Sequence, residues 1–220
     1  QRYPCLGKTT NVSNVEIDKI LDENLTKRLN KIENKKQLTK IGMIGNLNNR
    51  IKGWDIALKA LKLLKKNNID FEFHVLGDGN TEIWLNIAKK YGIENRVFFH
   101  GVLPGGDPVF NWLDNIDVYI QPSFQEGLPR AVIEAMSRGC PVIGSTAGGI
   151  PELLNKSCLH KPGDYKMLAD KLQTILINKE YAIKMAIENH RKSKLYKKDI
   201  LDTKRERFWD DFISSFIKNQ

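Results

Sequence analysis

The sequence predicts an α/β fold, a parallel sheet with helices packed on both faces. Three observations predict it. Short apolar runs of strand length recur at 38–44, Phe71–Leu76, Val97–Phe99, 117–120 and 141–143. Segments with apolar residues at helical spacing separate them, as at Trp54–Lys66 and Thr81–Tyr91. Glycine-bearing turns follow the strands, at Gly45, at Gly77 and Gly79, at Gly101 and at Gly127. Strands joined by helical crossovers align in parallel, and near-continuous apolar strands belong in a sheet covered on both sides. Right-handed crossovers bring the loops after the strands to one edge, where they converge on a crevice.

Taken in order, residues 1–15 mix Pro4, Gly7 and several Thr, Asn and Ser residues and read as an irregular lead-in or linker. From 16 to 34 the chain reads as a helix or charged helical connection, with Ile17, Ile20, Leu21, Leu25 and Leu29 at three- and four-residue spacing. The Asn- and Lys-rich stretch 30–37 marks a boundary. Strand one and its glycine loop follow, then the helix at Trp54–Lys66 with Ile56, Ala57, Ala60, Leu61 and Leu64 on one face. Pro104-Gly105-Gly106-Asp107-Pro108 is a loop, and 109–113 a short helix before strand four. After that strand comes a turn with Gly127 and Pro129, then a helix. Pro129 suits an early helical position, because its missing N–H would be unpaired there anyway. Residues 147–154 read as a turn feeding a short helix, 158–159 as an edge strand, and 164–220 as two or three helical segments. The expected division is a connection over 1–37, the sheet domain over 38–178 and C-terminal helices over 179–220.

The chain of 220 residues is long enough for one sizeable core. Its 41% hydrophobic and 28% charged residues are an ordinary soluble mixture. No run reaches membrane-spanning length and no secretory apolar segment opens the chain. Cys5, Cys140 and Cys158 are far apart and form no CxxC pair, which argues for a reduced, cytoplasmic setting. The net charge of +9 suits anionic partners such as nucleotides, acidic lipid headgroups or nucleic acid. Much of it sits at Arg191, Lys192, Lys194, Lys197 and Lys198, either a solvated helix face or an attraction to an anionic membrane surface. The four tryptophans are dispersed and no aromatic-and-basic surface for nucleic acid is evident. The histidines have no metal-ligand spacing, there is no Asp-x-Asp to clamp a diphosphate through a metal, and there is no Gly-x-Ser-x-Gly elbow.

The candidate site centres on 122–136. Glu126 lies just before a helix and Glu134 in its second turn, with seven residues between them. Strand, glycine turn and helix N-terminus make a place for an anion, because free N–H groups point outward there. The two acids suit hydroxyl groups, as on sugars. Arg50 and Lys52, in the loop after strand one, either meet a phosphate or face solvent. Gly45 and Gly53 either let a ligand approach the backbone or serve as plain turns. Gly77-x-Gly79 lacks the full dinucleotide pattern. His100 either touches a ligand at the crevice edge or bonds locally at a strand end. Gly148-Gly149 supplies N–H groups at a helix start or a structural turn.

Gly45, Lys52-Gly53, Gly77-Asp78-Gly79, Glu126-x7-Glu134 and Gly148-Gly149-Ile150-Pro151-Glu152 occur together in this order. The combination resembles the C-terminal, Rossmann-like half of a GT-B glycosyltransferase, nearest to the retaining family four, over roughly 38–178. The motif Pro122-Ser123-x-x-Glu126-Gly127-Leu128-Pro129, followed by Glu134-Ala135-Met136-x-x-Gly139-x-Pro141-Val142-Ile143, carries most of its specificity.

The resemblance implies a UDP- or GDP-sugar donor and no metal or other cofactor. It puts Lys52 on the diphosphate, with Arg50 as a second cation. Glu126 and the backbone of Gly127, Leu128 and Pro129 would meet the donor sugar and its phosphate, and Glu134 the ribose hydroxyls. Gly45, Asn46, Gly77, Asp78 and His100 would line the rest of the donor site. Family members usually carry Arg where Asn46 stands, and here the loop to Lys52 is one residue longer; Arg50 is the candidate for the vacated role. The resemblance further implies sugar transfer to an acceptor hydroxyl with retention, in polysaccharide or glycolipid assembly. The glycan or lipid-linked acceptor would be held by an N-terminal domain that this sequence lacks. The last helix, with Phe208, Trp209, Phe212, Ile213, Phe216 and Ile217, would pack on that domain or cover the local core. The setting would be cytoplasmic or peripheral on the inner face of the membrane, and these residues alone would bind donor without transferring it. The alternatives are a non-catalytic nucleotide-sugar-binding module and a nucleotide-sugar epimerase of similar architecture.

Overall fold

The computed structural model describes residues 9, 10, 12–15, 17–34 and 38–217, the side chains of 216 and 217 excepted. Cys5, parts of the lead-in and of the 30–37 boundary, the last three residues and the side chains of Phe216 and Ile217 therefore lie outside the described residues.

Six strands form one sheet: β1 (Thr39–Ile44), β2 (Phe71–Leu76), β3 (Val97–Phe99), β4 (Val118–Gln121), β5 (Val142–Ser145) and β6 (Leu159–His160). Every neighbouring pair is parallel, and the order is β3-β2-β1-β4-β5-β6. The helices are α1 (Asp22–Glu33), α2 (Trp54–Lys66), α3 (Thr81–Tyr91), α4 (Asp107–Asn115), α5 (Arg130–Ser137), α6 (Ile150–Leu153), α7 (Tyr165–Ile177), α8 (Lys179–Ser193) and α9 (Lys198–Ile217). On one face α2 packs with α3 and α7; on the other α5 packs with α4 and α8, and α8 with α1. This is the expected doubly covered α/β fold.

The strands follow their patterns. β4 and β5 are buried at every position, as strands covered on both faces must be. β2 alternates: Phe71, Phe73 and Val75 are buried while Glu72 and His74 are half-buried, so one face of the β2–β3 edge stays partly open. In α2 the expected stripe of Ile56, Ala57, Ala60, Leu61 and Leu64 is buried, together with Trp54 and Leu58.

The lead-in differs from expectation. The helix begins only at Asp22; Leu21 precedes it in extended conformation and is 49% exposed. Ile17 is buried outside any helix, where its carbonyl accepts the Lys198 N–H at 3.0 Å. The side chains that α1 buries are Asn24 and Arg28 rather than an apolar stripe. The Arg28 guanidinium donates to the carbonyls of Leu113, Ile116 and Arg138, and the Lys31 ammonium to those of Asp114 and Asn115. The bonds to Leu113, Asp114, Asn115 and Ile116 close the C-terminus of α4, and the bond to Arg138 meets the C-cap of α5. α1 thus packs on α8 and caps α4 and α5 across a long stretch of sequence. Pro129 also shifts: it is the extended N-cap of α5 (φ −72°, ψ 117°), one residue before the helix. An N-cap keeps non-helical angles while its carbonyl accepts the first helical bond, here from Ile133.

Successive crossovers run outward from β1 in one direction and from β4 in the other. β1 and β4 are neighbours, so the chain's direction of winding reverses between them, and a crevice opens at their carboxyl ends. The β1–α2 and β4–α5 loops flank it and interlock. The Phe124 N–H donates to the Ile51 carbonyl at 2.7 Å. Gly53 adopts φ +82°, and a side chain there would overlap the carbonyl of Pro122.

Candidate functional site

Lys52 ends a short 3-10 turn, Arg50–Lys52, whose N-cap Asn49 accepts the Ile51 N–H at 3.1 Å. Its half-buried side chain reaches across the crevice to Glu126, with 2.8 Å between Nζ and Oε1. Glu126 is buried, and two more donors meet the same oxygen: Gln121 Nε2 at 2.9 Å and Ser123 Oγ at 2.7 Å. Gln121 Nε2 also donates to Ser123 Oγ at 2.9 Å. Behind Gln121 stands the buried Tyr119, whose hydroxyl donates to Gln121 Oε1 at 2.8 Å and accepts the Ile44 N–H at 3.2 Å. Burial pushes the Tyr119 hydroxyl well above the ordinary tyrosine range, and the nearby charges of Glu134 and Glu126 add to the shift.

The β5–α6 loop supports the acidic turn from below. The Gly149 N–H donates to the Gly127 carbonyl at 2.7 Å. Gly148 adopts φ +55° so closely under the loop that a side chain would overlap the Glu126 carbonyl. This is the structural-turn reading of Gly148-Gly149. Among the described residues the N–H groups of Gly127 and Leu128 have no protein acceptor. They sit beside the Lys52–Glu126 pair, ahead of the α5 N-terminus, as an anion site requires.

Glu134 is in a different environment. It is half-buried on α5, and no side-chain hydrogen bond or ion pair holds its carboxyl among the described residues. Burial pushes its pKa above the ordinary glutamate range, and Arg130 partly opposes the shift. A half-buried carboxyl without donors is suited to receive hydroxyls.

The remaining candidates divide. Gly45 lies under the Lys52 side chain; a Cβ there would meet Lys52 Cγ at 3.3 Å. Asn46 closes its own turn, its Oδ1 accepting the Asn48 N–H at 2.8 Å and its carbonyl the Trp54 indole N–H at 3.1 Å. Asp78 likewise serves the local chain: its side chain accepts the Gly79 N–H and its carbonyl the Leu47 N–H. The Gly77 N–H donates to the Gly101 carbonyl, so the loops after β1, β2 and β3 are stitched together. Arg50 is exposed and lines a separate cleft of about 380 Å³ with Ile51, Asp55, Ile83, Ile87 and Phe124. The His100 ring is 2.8 Å from Nδ1 of His74, which in turn meets Glu72 at 2.9 Å. His100 also packs edge-on against Trp112, and burial with the neighbouring His74 lowers its pKa. The structure thus joins Lys52 to Glu126, leaves Arg50 exposed at a separate cleft and engages the His100 ring with His74 and Trp112.

Sequence reasoning missed Tyr119 and Gln121, and gave Ser123 no role. The signal was present: Gln121 is a polar residue at the end of an apolar strand, and a buried amide must find partners.

The family described as "Glycosyl transferases group 1" matches residues 39–178. The chain belongs to the glycosyl transferase group 1 family. Among its relatives, Protein CapJ of Staphylococcus aureus is 34% identical over 207 residues, 94% of this chain and 51% of CapJ. The amylovoran biosynthesis glycosyltransferase AmsK of Erwinia amylovora is 34% identical over 128 residues, 54% of this chain and 31% of AmsK. The group 1 chain therefore spans about half the length of CapJ and about a third of AmsK. The C-terminal domain of a group 1 family glycosyl transferase (LpcC) from Francisella tularensis matches in structure with a TM-score of 0.66 at 24% identity, over 78% of this chain and 93% of that domain. HepE of Anabaena, solved in complex with UDP and glucose, matches with a TM-score of 0.71 at 21% identity, over 90% of this chain and 55% of HepE. The group 1 chain therefore has the fold of the C-terminal, Rossmann-like half of a GT-B glycosyltransferase.

Proposed function

We propose that the chain is the donor-binding half of a retaining glycosyltransferase that transfers a sugar from a UDP- or GDP-sugar to an acceptor hydroxyl, in polysaccharide or glycolipid assembly. One observation carries the reading: Lys52, Glu126 and the open N–H groups of Gly127 and Leu128 meet at the crevice between β1 and β4. Similarity to AmsK, an amylovoran biosynthesis glycosyltransferase, and to WcaL of Escherichia coli, a putative colanic acid biosynthesis glycosyltransferase, supports the assembly role.

In this reading Lys52 and the loop N–H groups hold the donor diphosphate and stabilise the charge that grows on it as the glycosidic bond breaks, with no metal cofactor. Arg50, on the same loop, adds a second, more distant cation. Glu126 orients the donor sugar and stabilises positive charge at the anomeric carbon. Glu134 accepts the ribose hydroxyls. Transfer proceeds on one face of the sugar, with the leaving phosphate helping to deprotonate the acceptor. Glu126 and Glu134 are not a glycosidase pair, which must flank one scissile bond.

The acceptor, a glycan or lipid-linked sugar, is assigned to a domain beyond this chain. Support comes from α9, where Trp209 and Ile213 are 57% and 53% exposed. An apolar stripe of that kind calls for a partner surface. No helix among the described residues is long and apolar enough to cross a membrane. A peripheral contact with anionic lipid would fall to Arg191, Lys192 and Lys198, because Lys194 and Lys197 are paired with Asp22 and Asp199.

Calorimetry with UDP, GDP, ADP and their sugars tests the donor site. Micromolar binding that weakens about tenfold or more in Lys52→Ala supports it. A folded chain that binds none of them removes it as an autonomous donor-binding unit. For retention, the anomeric configuration of the product made by the full-length enzyme decides by NMR.

A further inference from the structure

We infer that Gln121 is a positioning residue that makes this site discriminate a nucleotide sugar from the bare nucleotide, by fixing the Glu126 carboxylate through a relay anchored on Tyr119. The inference rests on the donor-site reading above and deepens it.

The relay has a direction set by hydrogen-bond chemistry. Tyr119 accepts the Ile44 backbone N–H and donates its own proton to Gln121 Oε1. That fixes which way the Gln121 amide faces. Its Nε2 then points at Ser123 Oγ and Glu126 Oε1, at 2.9 Å each. The reversed amide would set its oxygen against the Glu126 carboxylate, acceptor to acceptor, and could recruit the Ser123 hydroxyl only by taking it from Glu126. Ser123, having accepted from Gln121, spends its own proton on Glu126 at 2.7 Å. Each link is buried: Tyr119, Gln121 and Ser123 are all 1% exposed or less. Rotation of any one would strand a buried polar group, so the chain of bonds locks as a unit. It starts at the backbone of β1, runs along β4 and ends at the carboxyl proposed to face the donor sugar. Lys52 pulls on the same oxygen from the far side of the crevice.

Gln121 lies behind Glu126 and takes its effect through it. Its loss should therefore leave the contacts to base, ribose and diphosphate in place and weaken only those to the sugar. Gln121→Met keeps the shape and removes every hydrogen bond. Tyr119→Phe removes only the hydroxyl that orients the amide.

The test is calorimetry on wild type and both variants with UDP against UDP-glucose and GDP against GDP-mannose, with thermal unfolding in parallel. The expected result is that wild type prefers the sugar-bearing ligand. The preference drops about tenfold in Gln121→Met and by a smaller factor in Tyr119→Phe, with nucleotide affinity held within about twofold. Equal loss for nucleotide and nucleotide sugar would mark Gln121 as structural and overturn the inference; so would an unchanged preference. Should Gln121→Met fail to fold, Tyr119→Phe decides by the same two outcomes. If wild type binds no nucleotide at all, the donor-site reading falls and takes this inference with it. Wild-type discrimination that persists in both variants sinks the inference alone.

Discussion

The two ends of the β4–α5 turn hold the two glutamates in opposite ways. At the strand end, Glu126 is buried under three donors on one oxygen, and the loops around it interlock. At the helix end, Glu134 is half-buried, with no donor to its carboxyl among the described residues and a pKa raised by burial. The first end is organised before any ligand arrives; the second lacks hydrogen-bond partners that a ligand can supply. That contrast fits the proposed division of labour. A group near the reacting centre benefits from fixed geometry, because reorganisation during reaction costs rate. A group that recognises hydroxyls gains most from partners that only the ligand brings.

The comparison can be broken at either end. The largest effect is expected from Gly148→Ala, where a methyl would overlap the Glu126 carbonyl and φ is +55°. It should cost about 3 kcal/mol by urea denaturation and disturb the Glu126 end. Glu134→Ala should leave stability nearly unchanged and weaken nucleotide binding by about 30-fold, for UDP and UDP-glucose alike, from the loss of charge-assisted bonds. A loss confined to the sugar-bearing ligand would mean that the two glutamates have exchanged roles.

A subtler contrast appears with pH. Burial raises the Glu134 pKa, so between the ordinary glutamate range and its raised value the native state binds more protons than the unfolded state. This contribution to stability is fully present below the unfolded value and is lost as pH rises through the folded one. Nucleotide affinity should move the other way and rise with pH across the same window, because ribose hydroxyls need the carboxylate. Glu134→Gln should abolish both slopes in titrations of melting temperature and affinity. The smallest effect is expected at Arg50. Its place in a separate cleft predicts a loss of about twofold in nucleotide affinity for Arg50→Ala, as for a screened surface charge, against about tenfold for Lys52→Ala.

Much of the fold was legible locally. Trp54–Lys66, Phe71–Leu76, Thr81–Tyr91 and Val97–Phe99 form as their periodicity predicts. Their apolar spacing matches the period of the element that buries them. The lead-in helix was legible as an element, at Asp22–Glu33, but its start and its buried face were not: it buries Asn24 and Arg28, and Arg28 and Lys31 act on the carbonyl end of α4, more than eighty residues away in sequence. The site was legible in part. The acidic turn with its two glutamates stands out as a motif, and Lys52 by its loop. Gln121 shows only as a polar residue closing the apolar strand β4, without its partners, and Tyr119 reads as one more core residue of that strand.

Residue types and spacing were therefore enough for the strands, the parallel sheet, the loops along one edge and the acidic turn, all of which follow from local propensity and crossover length. The pairing of Lys52 with Glu126, the relay behind it and the lack of a hydrogen-bond donor to the Glu134 carboxyl among the described residues required the folded chain. Lys52 and Glu126 are separated by 74 positions and meet only because β1 and β4 lie side by side. Adjacency of that kind is set by packing the whole sheet, and no local stretch contains it.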